Sequence, residues 1–349
     1  MIAVRQQTYS NKLFTFRIST RQIIRKTQQK RSTSPTISAM VPLSPYGTFS
    51  GSIFQYNTFP SLVAFESSNL EKSPNKCILI GGLSDGLIPT PYSKDLESAC
   101  HESGWSLVQP MISSSGLGFG HGTLQRDTEE IRNLLNYLVE HRNAEQIAFV
   151  GHSTGCQNAV HFMKYGDKDL RKKVKLVVLQ APVSDREGAM ETPKYAENIE
   201  HARKLQAMGQ EDEMMPRSAF WAPITAARFL SLQDVGGDDD FFSSDFSDEE
   251  MALRLKHLGQ YGDLNGLKTL IAFSGEDEYV PTTVDKKKLV ERLHMAMTSQ
   301  TNPDVDSQSS PDTVDTLFLE TGNHNLSNEE GDKELFVDTV KNLLKSALN

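Results

Sequence analysis

The sequence predicts an α/β protein with a doubly wound, mostly parallel sheet and a helical cap inserted late in the chain. Three observations carry that expectation. Short apolar runs alternate with amphipathic stretches of helix length. Several runs end on glycine or on a polar turn. One long stretch, residues 183–265, holds helical patterns and no strand-like run of its own. Strands alternating with helices pack as a parallel sheet covered on both faces, and such sheets carry function in the loops at the carboxyl ends of their strands.

The elements follow in order. Residues 61–66 and 76–80 are apolar enough for strands, the second ending on Gly81 and Gly82. Residues 91–103 suit a helix and residues 106–110 a strand. Between 123 and 142, Ile131, Leu134, Leu135, Tyr137 and Leu138 fall at helical spacing. A buried strand at 146–150 leads through a turn at Ser153 into a helix ending near Tyr165, and 174–179 is the next strand. Beyond the insertion come a strand at 270–273, a helix near 285–298, a strand at 316–319 and a terminal helix near 333–347. Within the insertion, helices are expected at about 191–209 and 224–232. The polar stretch 298–313 is expected as a surface loop.

Charge is uneven along the chain. The first 40 residues hold eight Lys or Arg and no acid, and the first acidic residue is Glu66. Without those eight charges the formal net charge falls from −9 to −17. Residues 1–45 thus form a basic leader, rich in Arg, Ser, Thr and Gln, of the kind that directs chains to mitochondria or plastids. The alternatives are a disordered basic tail, or a start at Met40; both leave the protein cytoplasmic. The remaining 46–349 is acidic, which argues against a nucleic-acid partner. No apolar run approaches the ~20 residues of a membrane span. Three widely spaced cysteines, Cys77, Cys100 and Cys156, form neither a disulfide framework nor a CxxC zinc site.

The chemistry concentrates at Gly151-His152-Ser153-Thr154-Gly155, a GxSxG motif placed directly between a strand and a helix. That context turns a short motif into a nucleophile elbow, with the serine at the top of the sheet beside a helix N-terminus. A serine needs a base, and the base needs an orienting acid. In the order Ser…Asp…His, His324 lies just past the last strand and is the candidate base, whereas His294 sits inside a helix. His152 belongs to the elbow, whose turn is expected to aim its ring away from Ser153. The acid belongs after the 270–273 strand, where Glu276, Asp277 and Glu278 compete. Asp277, four residues before Pro281, is favoured for its short, readily fixed side chain. Oxyanion donors are expected from the backbone N–H groups of Thr154 and of Leu83, in the loop Gly81–Leu87. Gly82, Asp85, His121 and Trp221 are candidates for lining the substrate pocket, with Met214, Met215 and Phe220 as pocket or cap core.

Other patterns carry less. Asp238, Asp239, Asp240, Asp245 and Asp248 lack EF-hand spacing, so a solvated acidic loop is expected there and no metal site. Residues 116–120 do not complete GxGxxG, no P-loop is present, and no cofactor is implied. Cys156 reads as a packed residue at the start of the elbow helix.

Taken with their neighbours, these stretches resemble a subfamily of α/β-hydrolases from fungi and plants long catalogued as a domain of unknown function. The matching segments are Leu62–Glu66, Gly81–Leu87, Gly151–Gln157, Gln180–Arg186, Gly237–Asp245 and Asp277–Pro281, within roughly residues 46–345. The resemblance implies one hydrolase domain with Ser153, Asp277 and His324 as its triad, acting on a small-molecule ester. Some fungal members are linked to ester cleavage in hydroxamate siderophores. It also marks the aspartate-rich segment as a shared feature of the cap. A serine ester hydrolase is therefore the leading expectation. Thioesterase, acyltransferase and peptidase chemistry use the same machinery, and a non-enzymatic binding protein is the competing class, usually marked by a missing triad member.

Overall fold

The computed structural model describes residues 46–67, 73–298, 313–328 and 330–348. The basic leader and most of the polar stretch 298–313 lie outside these residues. The first strands are β1 (Gly51–Asn57), β2 (Leu62–Ser67) and β3 (Asn75–Ile80), followed by α1 (Ser93–Glu102), β4 (Ser106–Pro110), α2 (Leu124–His141), β5 (Gln146–His152), α3 (Thr154–Tyr165) and α4 (Lys168–Lys173). Then come β6 (Val174–Gln180), α5 (Asp185–Met190), α6 (Tyr195–Ala207), α7 (Ala226–Gln233), α8 (Asp248–Leu255) and α9 (His257–Asn265). The chain closes with β7 (Lys268–Ser274), α10 (Lys286–Thr298), β8 (Val314–Leu319) and α11 (Glu330–Ser346).

The strands form one sheet in the order β1-β2-β4-β3-β5-β6-β7-β8. β1 and β2 pair antiparallel at one edge, β2 pairs antiparallel with β4, and the rest of the sheet is parallel. The continuous apolar runs have a plain cause. Side chains alternate between the two faces, and both faces are covered. Ile78, Ile80, Phe149, Val177, Leu179, Ile271 and Phe273 pack on one side with α2, α3, α8 and α10. Cys77, Leu79, Ala148, Val150, Leu176, Val178, Leu270 and Ala272 pack on the other with α1 and α11.

Two expectations change. β1 is absent from the sequence reading because, on this edge strand, only Phe54 and Tyr56 face the core, so it lacks an apolar run. The stretch 183–265, expected as one insertion, divides. Ile199, Ala202, Met215, Ile224, Phe229 and Leu230 build a separate small core around α6 and α7. Phe241, Phe242, Phe246, Met251, Leu255 and Leu258 instead join the main core beside α3 and α10. Apolar content alone does not say which of two cores a helix belongs to, so the sequence merged them.

The acidic segment is a third correction. Asp239 and Asp240 are 3% and 2% exposed, not solvated. Asp239 pairs with Arg228 of α7 at 2.5 Å and accepts from Ser231 Oγ at 2.5 Å. Asp240 pairs with Arg186 of α5 at 2.9 Å and accepts from Ser243, while Arg186 also reaches Asp245 at 2.8 Å. The aspartates thus fasten the helical insertion to the body through buried arginines. Among the described residues no helix is long and apolar enough to cross a membrane.

Candidate active site

β5 ends at His152, and the chain turns at Ser153 with φ 53° and ψ −126° before α3 begins at Thr154. A non-glycine residue at positive φ is uncommon and strained, and here the elbow packing holds it. Ser153 N–H donates to Gln180 O at 3.0 Å, and Cys156 N–H to Ser153 O at 2.8 Å. The turn also needs Gly155, where a Cβ would stand 2.2 Å from Ile80 O. The loop after β3 lies equally close, since a Cβ on Gly82 would stand 2.8 Å from Ser153 Cβ and 3.3 Å from its Oγ.

Asp85 shapes that loop. Gly82 N–H donates to its Oδ2 at 2.7 Å, and Asp85 N–H returns a bond to Gly82 O at 3.0 Å. Burial raises the Asp85 carboxyl, and the bond from Gly82 works against that rise. Leu83 N–H finds no acceptor among the described residues. Thr154 is the first residue of α3, where the helix supplies no partner for an N–H. Thr154 follows Ser153 directly in the chain, and Leu83 lines the same cavity as Ser153.

His324 follows β8. Its Nδ1 lies 2.8 Å from Asp277 Oδ2, with Asp277 side-chain exposure at 0%. The other Asp277 oxygen accepts from Tyr279 N–H at 3.0 Å. Lys286 Nζ donates to Gly275 O at 2.7 Å and Asp277 O at 3.0 Å, pinning the acid loop from behind. The three competing carboxylates separate by geometry. Glu276 is exposed, and Glu278 Oε2 accepts from His324 backbone N–H at 2.9 Å, which leaves Asp277 facing the ring. The Tyr279 ring stands edge-on to His324, centroids 4.6 Å apart.

Ser153 and His324 open onto one cavity of about 900 Å³, whose wall also includes Gly82, Leu83, Asp85, Asp185, Phe220, Trp221 and Tyr279. Trp221 packs on Phe119 and Phe220 at 5.1 and 5.7 Å. His121 is a correction. It sits at the end of a 3-10 helix, Gly116–His121, with its side chain in solvent, and it does not line the cavity. The tight turn directs Phe119 inward instead, 1% exposed. Met215 belongs to the small core of the insertion, and Met214 is half exposed.

Three residues here, Gln180, Tyr279 and Asp185, have no assigned role in the sequence, and a fourth, His152, has a larger one than expected. His152, expected to aim its ring away from Ser153, lies on the cavity wall with its ring 5.0 Å from that of His324. Gln180 ends β6 and bonds to His152 and His324. Tyr279 covers His324. Asp185 starts α5 on the cavity wall, and burial, then Asp239, raises its carboxyl to about 7. One signal was available for Gln180 and Asp185: both lie at or just past the carboxyl end of a buried parallel strand. Cys156 is fully buried, its thiol donating to Gly151 O and Gln180 O at 3.3 Å, and burial pushes its pKa well up.

Relatives agree with this architecture. The protein is 31% identical over 303 residues to the fusarinine C esterase sidJ of Aspergillus fumigatus, covering 72% of this chain and 84% of that one. It is 32% identical over 294 residues to the esterase AN6793 of Emericella nidulans, covering 67% and 78%. The solved structure of the siderophore hydrolase EstB from Aspergillus fumigatus matches with a TM-score of 0.70 at 28% identity, over 88% of this chain and all of that one. Residues 42–345 match the family described as protein of unknown function DUF1749. The chain, built on the α/β-hydrolase fold, is a member of that family.

Proposed function

We propose that the protein hydrolyses a carboxylic ester through an acyl-enzyme on Ser153. The observation that carries the reading is the 2.8 Å contact of His324 Nδ1 with the buried Asp277, beside a cavity that Ser153 and His324 share. Asp277 holds the Nδ1–H tautomer and leaves Nε2 as the base. Ser153 Oγ attacks the ester carbonyl carbon and its proton passes to His324 Nε2. The tetrahedral oxyanion lies against the N–H groups of Leu83 and Thr154. The C–O bond to the alcohol breaks as His324 returns the proton to the leaving oxygen. Water, deprotonated by His324, then releases the carboxylic acid and restores Ser153.

The names of the relatives support an ester of siderophore type as substrate. A cavity of about 900 Å³ suits a ligand larger than a short acyl ester. We propose further that α5–α7 form the cap over this cavity, because Gly188, Ala189, Thr192 and Leu232 line it. The basic leader supports an organellar address, mitochondrial or plastid.

Steady-state hydrolysis of short aryl esters and of siderophore esters tests the reading. Turnover is expected in the wild type, and Ser153→Ala and His324→Ala are each expected to lower kcat by about 10⁴-fold or more. A Ser153→Ala protein that keeps wild-type turnover would overturn it.

A further inference from the structure

Gln180 is wholly buried at the end of β6, level with His152 of β5 across the parallel ladder. Its main chain and side chain together touch both halves of the proposed triad. The carbonyl accepts from the N–H of Ser153 at 3.0 Å. The side-chain Nε2 donates to His324 O at 3.0 Å. The side-chain Oε1 lies 2.6 Å from His152 Nδ1 and accepts from Tyr92 O–H at 3.1 Å.

The chemistry of these partners fixes the orientation of the amide. A main-chain carbonyl can only accept, so the amide group facing His324 O is the NH₂. The group facing His152 is then the oxygen, and His152 Nδ1 must carry a proton. Neutral His152 therefore holds its proton on Nδ1 and presents a bare Nε2. Burial, then the neighbouring His324, lowers its pKa to about 3, so it stays neutral while His324 works. No other uncharged side chain of this length supplies both a donor and a two-bond acceptor in one plane.

We propose that Gln180 is a positioning residue for the hydrolysis. One buried amide sets where the loop bearing His324 stands relative to the Ser153 turn, and it fixes the tautomer of His152. The proposal rests on the triad reading given above. Tyr92 backs the amide, which leaves Gln180 little room to follow a displaced loop.

Nitrogen–proton correlation spectra of the ¹⁵N-histidine-labelled full chain read the tautomer directly, with His152→Gln used to assign the signal. Neutral His152 with its proton on Nδ1 is expected; a proton on Nε2 in the wild type overturns the proposal. Gln180→Leu, with Gln180→Met as the second variant, supplies the kinetic arm. The expected result is a fall in kcat of about 10- to 100-fold with KM within about threefold, because the reacting groups are misplaced and the cavity is kept. Unchanged kcat, or a loss confined to KM, overturns it. Labelling of wild-type Ser153 by a fluorophosphonate separates the two levels. Failure to label removes the triad reading, whereas labelling with an Nε2–H tautomer removes only the role of Gln180.

Discussion

Asp277 has both carboxylate oxygens committed, one to His324 and one to the N–H of Tyr279. Asp277→Asn keeps the shape and presents an amide, which favours the wrong imidazole tautomer. The expected loss in kcat is about 10⁴-fold with folding intact by circular dichroism; a loss below tenfold would reassign the acid. Asp185 makes a separate prediction. Its folded pKa, about 7, lies above the unfolded value near 3.8. The folded state therefore binds the extra proton between those values, and stability is lost as pH rises through that window. Asp185→Asn should gain stability over the wild type by on the order of 1–3 kcal/mol, with the gain growing from pH 4 to 7 and level above it. Urea unfolding across that range checks it, and a gain independent of pH would contradict it. At this scale motif, chain order and the Pro281 spacing singled out Ser153, Asp277 and His324 in the sequence, and His324 Nδ1 and Asp277 Oδ2 stand 2.8 Å apart in the fold. The pairing of His152 with Gln180 was hidden because it joins neighbouring strands 28 residues apart in the chain.

Among the elements, α5 and α7 are fastened to the body by arginines whose partners sit in one acidic loop. Arg228 and Asp239 are 4% and 1% exposed in their side chains. Removing one member leaves the other charge buried and uncompensated, which costs about 3–5 kcal/mol. Asp239→Asn should therefore speed hydrogen exchange across α5–α7 while β3, β5 and β6 keep their protection. Uniform acceleration over the whole chain would mean that the network holds the entire fold, not the insertion. The acidic run looked solvated in the sequence because its arginine partners are 11 and 54 residues away. The buried strands were legible because burial on both faces makes them continuously apolar, whereas β1 buries only two side chains and gives no such signal.

For the molecule as a whole, the alternation of strands and helices was enough to give the doubly wound sheet and the end of it that carries the site. What the sequence left merged was the helical layer, part of which belongs to the main core. All three cysteines are buried and free. The folded protein should leave them unreactive to a thiol reagent at pH 8 over minutes, and denaturant should expose three thiols; rapid native reaction would mean that the core opens. If the leader is an address only, residues 46–349 should hydrolyse esters as the full chain does, and residues 1–45 fused to a fluorescent protein should enter an organelle. A diffuse cytoplasmic signal would remove the organellar reading.

Everything proposed for this site depends on Ser153 being the nucleophile. Treatment of the full chain with a fluorophosphonate, followed by peptide mass spectrometry, tests it most directly. One phosphonyl adduct per chain is expected, on Ser153, with none in Ser153→Ala and little in His324→Ala. An adduct on another serine, or none in a folded protein that hydrolyses esters, would contradict it.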